Sequence, residues 1–248
     1  IYVKAQGAQH PNVSASLNNI ADLYRSQGRY SEAESLYKRS LVIKEKALES
    51  GHPDLGATLN NLAGLYKVQG RYDEAEPLYK RALTIWEDSF GREHPRVAQG
   101  LNNLAQLYNA QGRRADAEPL LVRSLKINEK ALGPEHIHLG WTLNNLASLY
   151  KIQGRLADAE PLFQRSLVIV VAALGPNHPR VARILNNIAS LYQSQGRYGE
   201  AEPFYKRSLA IREAALGPDH PNVATGVNNL ADFYATQGRF AEAEVLFK

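Results

Sequence analysis

Asparagine pairs are written into this chain at a fixed interval. Asn18-Asn19, Asn60-Asn61, Asn102-Asn103, Asn144-Asn145, Asn186-Asn187 and Asn228-Asn229 stand 42 residues apart, with no insertion or deletion between them. An asparagine offers two donors and an acceptor on one short side chain. A row of them can hydrogen-bond the backbone of an extended peptide without reading its sequence. One member of each pair can equally satisfy a polar group between neighbouring helices. Which member does which is open in the sequence.

Other polar residues share the period and carry less chemistry. Histidines recur once per repeat at His10, His52, His94, His136, His178 and His220. A zinc ion needs ligands converging at about 2 Å, which groups one repeat apart cannot supply. These histidines read as caps of the helix or turn beside them. His136 and His138 would share an ion only in an unusual local geometry, and no metal site is expected. The carboxylates Glu32-Glu34, Glu74-Glu76 and Glu200-Glu202 read as charges matched to a helix N-terminus, on an exposed turn rather than in a pocket. The arginine after each of Gly28, Gly70, Gly112, Gly154, Gly196 and Gly238 reads as structural, bonding helix-end carbonyls or the nearby glutamate. There is no Gly-rich phosphate loop, GxSxG elbow or HExxH helix. Neither catalysis nor a cofactor is expected.

The elements that place these residues follow from one repeat. Leu59, Leu62, Ala63 and Tyr66 fall at i, i+3, i+4 and i+7, the stripe of a helix. Pro53 suits its first position and Gly70 its end, so a first helix is predicted over about 53–69. Ala75, Leu78, Tyr79 and Ala82 repeat the spacing on a second helix that runs to about Phe90, with Gly91 as its stop. Asp73 with Glu76, and Ser31 with Glu34, read as capping boxes. Pro77 falls near the end of the first turn, where it costs little. Small residues, Ala63, Ala75 and Ala82, sit where the two helices touch. No strand alternation appears. The prediction is all-α: six antiparallel helix pairs, the last incomplete, stacked into a right-handed α-α superhelix over 1–248. The repeats run approximately 8–49, 50–91, 92–133, 134–175, 176–217 and 218–248, after a partial second helix at 1–7.

The pattern Leu59-x-x-Leu62-Ala63-x-x-Tyr66-x-x-x-Gly70-x-Tyr72-x-x-Ala75-x-x-x-Tyr79-x-x-Ala82 resembles the tetratricopeptide repeat. The usual unit has about 34 residues. The longer period here, with its Leu-Gly-Pro-x-His-Pro connection, is similar to the repeats of kinesin light chains, and the near-perfect repetition resembles bacterial arrays of that kind. Ile137 departs from the helix-starting proline, and Arg114 replaces the equivalent of Tyr72. The resemblance implies a peptide-binding groove lined by the first helices. On that surface lie Asn60, Asn61, Asn102, Asn103, Asn144, Asn145, Asn186 and Asn187. Its variable positions are Ala15, Ala57, Gln99, Trp141, Arg183 and Thr225, and Arg25, Lys67, Asn109, Lys151, Gln193 and Ala235. Trp141 and Arg183 are of the types that anchor interfaces. Arg25, Lys67, Lys151 and Arg183 favour an acidic ligand. The plainer readings are inter-helix packing for Trp141 and a solvated face for the lysines.

A protein or peptide partner, acidic in character, is therefore expected. The alternative is a sensor array within a larger multidomain enzyme, such as a signalling ATPase or protease. RNA binding ranks third, because the repeated Asn-Asn pairs vary too little for one base-reading set per repeat. The net charge of +4 does not demand nucleic acid. No apolar run approaches the roughly 18 residues of a membrane span, so no membrane partner is expected and a cytoplasmic location is. Cysteine is absent, which removes disulfides and thiolate metal sites. Methionine is also absent, and both ends fall inside repeats. The chain thus reads as a segment of a longer protein, whose cut ends are expected to favour self-association.

Overall fold

The structure, a computed structural model, describes residues 11–247. The partial helix expected at 1–7 and the cap expected from His10 lie outside the described residues. Among those described there are twelve helices and no strand. The chain divides into two compact units, Ile1–Ala131 and Leu132–Lys248. The first holds α1 (Pro11–Ser26), α2 (Tyr30–Ala47), α3 (Pro53–Val68), α4 (Tyr72–Phe90), α5 (Pro95–Ala110) and α6 (Arg114–Leu132, its last residue in the second unit). The second holds α7 (Ile137–Ile152), α8 (Leu156–Leu174), α9 (Pro179–Ser194), α10 (Tyr198–Leu216), α11 (Pro221–Thr236) and α12 (Phe240–Val245). Odd-numbered helices are the first helices of the repeats. The all-α class and the stacked helix pairs expected from the sequence are what each unit shows.

The histidines start the first helices. Nδ1 of His52, His94, His136, His178 and His220 accepts the backbone N–H two residues on, at 3.1–3.2 Å. Each imidazole thereby satisfies one of the unpaired amides at a helix start. The ends are set by glycine. Gly70 has φ of 75°; its N–H bonds the Lys67 carbonyl at 3.1 Å and Arg71 N–H bonds the Tyr66 carbonyl at 2.9 Å. This pair of bonds closes the helix and requires the left-handed conformation that glycine adopts freely. The second helix then starts at once, at Tyr72. Two expectations change as a result. Arg71, not Asp73, holds the cap position, without a side-chain bond, so the capping box is not formed. Pro77 is the sixth residue of α4 rather than part of its first turn.

Within a unit, each first helix packs on its own second helix, and that second helix packs on the next first helix. Leu55, Leu59, Ala82, Trp86, Val97, Ala98 and Leu101 form one core in the first unit. Ala147, Phe163, Val170, Leu185, Ile188, Tyr205 and Phe233 belong to the core of the second. Buried serines pin the pairs: Ser40, Ser124, Ser166 and Ser208 donate to first-helix carbonyls 26 residues back at 2.7–2.8 Å. Close approach is also built into the backbone. A Cβ on Gly56 would lie 2.6 Å from Trp86 Nε1, and one on Gly140 would lie 2.7 Å from Val170 Cγ2.

A polar clasp joins successive pairs. Arg71 stacks over Tyr66, bonds Glu74 on its own helix at 2.7 Å, and reaches back to Glu34 at 2.6 Å. Tyr66 Oη donates to the same Glu34 at 3.0 Å and Lys38 bonds it at 2.7 Å. In the second unit Arg239, Tyr234 and Lys206 converge on Glu202 in the same way. The expected partner of the periodic arginine, the nearby glutamate, is thus found together with a second one in the preceding repeat. Burial works against the Glu34 charge, but the Arg71, Lys38 and Tyr66 bonds bring its pKa down to about 2. The Arg239 and Lys206 bonds bring Glu202 to about 2 as well, against an ordinary 4.5.

Two predictions follow from packing and clasp. Gly140→Ala should destabilise by about 1–3 kcal/mol through overpacking. Gly199→Ala, in α10 with open space around it, should be neutral or stabilise by about 0.5–1 kcal/mol. Urea titration of both variants checks this, and equal effects would refute the close approach. The clasp carboxylates have lower pKa values folded than unfolded, so the unfolded chain takes up protons first as pH falls. Their contribution is complete above about pH 4.5 and is lost between 4.5 and 2. The urea midpoint should drop over that interval, and less steeply in an E34Q/E202Q variant. Parallel profiles would show the clasp to be energetically idle.

Candidate functional site

The asparagine pairs are linked to one another along the repeats. Asn60 and Asn144 are 7% and 3% exposed. The Oδ1 of Asn60 accepts from Asn103 Nδ2 of the next first helix at 2.9 Å, and that of Asn144 accepts from Asn187 at 2.9 Å. Asn186 accepts from Asn229 at 2.8 Å. Each rung therefore joins the first asparagine of one pair, as acceptor, to the second asparagine of the next pair, as donor. Buried polar groups need such partners, because an unpaired one costs about 1–3 kcal/mol. The second asparagines, Asn61, Asn103, Asn145 and Asn187, are half-buried, as are Asn102 and Asn186. Asn61 also donates to Asp22, at 3.4 Å.

The cations differ from one another. Arg25 pairs with Asp22 at 3.2 Å, and the same Asp22 accepts Tyr37 Oη at 2.5 Å; Arg25 is already neutralised. Lys67 donates to Gln106 at 3.0 Å and Lys151 to Ser190 at 2.7 Å. Neither has a carboxylate within ion-pair distance among the described residues. Burial lowers the pKa of Lys67, and the nearby Arg25 adds to the effect; burial alone lowers that of Lys151. Both amines are thus partly stripped of water and receive neutral partners only.

Trp141 is half-buried and packs against the second unit's core. Arg180 and Arg183 from α9 stand over its ring, at 5.2 and 5.7 Å from the centroid. Trp141 thus packs between helices while its ring also meets two arginines. Arg183 keeps solvent-exposed surface, yet protein crowded around its head group lowers its pKa, with Arg180 as the second cause.

Two features of this surface are hidden in the sequence. Arg180 escaped because it follows the helix-starting proline, where a charged residue looks ordinary. The series Asp22, Gly64, Gln106, Ser148, Ser190 and Asp232 varies too much to stand out as a set, although it lies three residues before the lysine series in the same register. Its members supply partners one repeat away from Lys67 and Lys151, and for Arg25 in the same turn.

Known proteins share the repeat and the fold. The family model described as tetratricopeptide repeat matches residues 54–130, 97–169, 138–214 and 180–248, and a second model of the same description matches 13–54. No curated protein matches the sequence significantly. A candidate kinesin light chain from Podosopora anserina, with nearly identical TPR-like repeats, is 28% identical. The match covers 84% of this chain and 98% of that one, at a TM-score of 0.66. BtubC (BKLC) from P. vanneervenii is 26% identical over 90% of this chain and 87% of its own, at 0.68. A Rap protein complexed with competence and sporulation factor superposes at 0.69 over 93% of this chain and 71% of its own, but at 14% identity, a likeness of fold alone. No helix is long and apolar enough to cross a membrane among the described residues.

Removing a rung tests the link between the pairs. Asn144→Ala should lower stability by about 1–2 kcal/mol, since it orphans Asn187 Nδ2. Chemical denaturation measures this; an unchanged midpoint would show the rung to be dispensable.

Proposed function

We infer from membership of the tetratricopeptide repeat family, to which this chain belongs, that it is a non-catalytic interaction scaffold whose first-helix faces receive an extended, acidic segment of a partner protein. Repeats of this family mediate protein–protein interaction. The finer reading rests on one observation about charge. Arginines that follow the helix-ending glycines all have carboxylate partners. Lys67, Lys151 and Arg183, on the first helices, have none among the described residues. A ligand carboxylate would meet cations that have already lost part of their hydration, and hydrogen bonds to charged groups contribute about 1.5–3 kcal/mol each. The half-buried asparagines would bond the ligand backbone. Each unit carries such a set: Asn61, Asn103 and Lys67 in the first, Trp141, Asn145, Lys151, Arg183 and Asn187 in the second.

A panel of acidic peptides tests this reading. Lys67→Glu, Lys151→Glu and Trp141→Ala should each weaken binding by on the order of 1–2 kcal/mol, measured by fluorescence anisotropy, with thermal melting checked in parallel. Undiminished affinity in all three variants would remove these faces as the binding surface.

A further inference from the structure

Arg180 and Arg183 form an arrangement that occurs once among the described residues: two guanidinium groups over a single indole, without any carboxylate partner. They lie three residues apart on α9, so they share a helix face. Trp141 meets both from α7, at 5.2 and 5.7 Å from its ring centroid. Like charges this close repel, and the Coulombic influence of Arg180 on Arg183 is felt. Attraction to the indole face contributes about 0.5–1 kcal/mol per exposed cation and fixes the guanidinium planes without neutralising them. The repeat equivalents of Trp141 and Arg183 elsewhere are Ala15, Ala57, Gln99 and Thr225, so the repeat unit itself does not call for this cluster. It is specific to the second unit, and both of its arginines are exposed.

We propose that Trp141, Arg180 and Arg183 form the anchor for a phosphorylated residue in the partner segment, so that binding by the second unit is controlled by phosphorylation of the partner. The proposal rests on the first-helix faces being the peptide-binding surface and adds the chemistry of one position. A phosphoryl group carries about −1.5 to −2 charge at neutral pH and three acceptor oxygens. Two unpaired guanidinium groups match it in charge, and their forked donors match its oxygens in geometry. A single carboxylate would leave one positive charge uncompensated. Arg180 becomes a specificity-determining residue in this reading, although its position in the repeat carries no such role.

The test uses the full chain and three peptide pools with identical random flanks and a central serine, phosphoserine or glutamate. The phosphoserine pool should be retained at least about tenfold more than the serine pool, with glutamate between them; tenfold corresponds to about 1.4 kcal/mol. R180Q/R183Q should bring phosphoserine retention down to the serine level, while R183K should keep part of it. In the unsubstituted protein the phosphoserine pool should change the emission of Trp141 over a constant background from buried Trp86. Equal retention of serine and phosphoserine would overturn the phosphate anchor while leaving peptide binding in place. Phosphoserine preference that survives R180Q/R183Q, or constant emission, would move the anchor elsewhere and overturn this assignment. Failure of every pool to bind would overturn both this anchor and the peptide-binding surface beneath it.

Discussion

A helix pair of this kind cannot bury its own apolar surface. The first helix covers one side of the second, and the other side stays open until the next pair arrives. Every other feature depends on that mutual dependence. Trp86 shows it: the ring fills the space left by Gly56 in its own pair and Gly100 in the next. The glycine turn makes the arrangement possible, because the second helix can double back only if the first ends within three residues. Gly70 at φ 75° supplies that ending.

Polar groups follow the same logic. Stacking brings side-chain amides out of water, and each then needs a partner within the stack. The rungs from Asn103 to Asn60 and from Asn187 to Asn144 answer that need. So does the clasp of tyrosine, arginine and glutamate, which ties one turn to the preceding second helix. Buried Lys44 is a local variant. Its ammonium donates to the Asp54 carbonyl and to Thr58 Oγ1, at 3.1 and 2.9 Å, and burial lowers its pKa. Stability is in this way distributed over near-identical joints, and the faces not used by the joints are free to vary.

The arginines of the clasp, such as Arg71 and Arg113, are paired with carboxylates, whereas buried Lys44 and Arg212 bond neutral oxygens. Cations on the first helices at Lys67, Lys151, Arg180 and Arg183 are not paired with carboxylates, although glutamates and aspartates are plentiful elsewhere in the repeat.

The sequence by itself determined the class, the period, the helix boundaries to within a residue or two, and the glycine stops, because these are local: one stripe, one proline and one positive φ act within a single repeat. It also placed His52, His94, His136, His178 and His220 as caps. Its capping boxes at Asp73 and Ser31 did not form, because the turn closes so tightly that the helix begins before them. Only the tertiary structure decided which asparagine of a pair lies inside, that Glu34 serves the following repeat, and that Arg180 joins Arg183 over Trp141. Those facts are set by side chains some 40 residues apart meeting across a helix interface. A periodic sequence states that such neighbours exist, while the stagger and tilt of the packed helices choose which atoms meet.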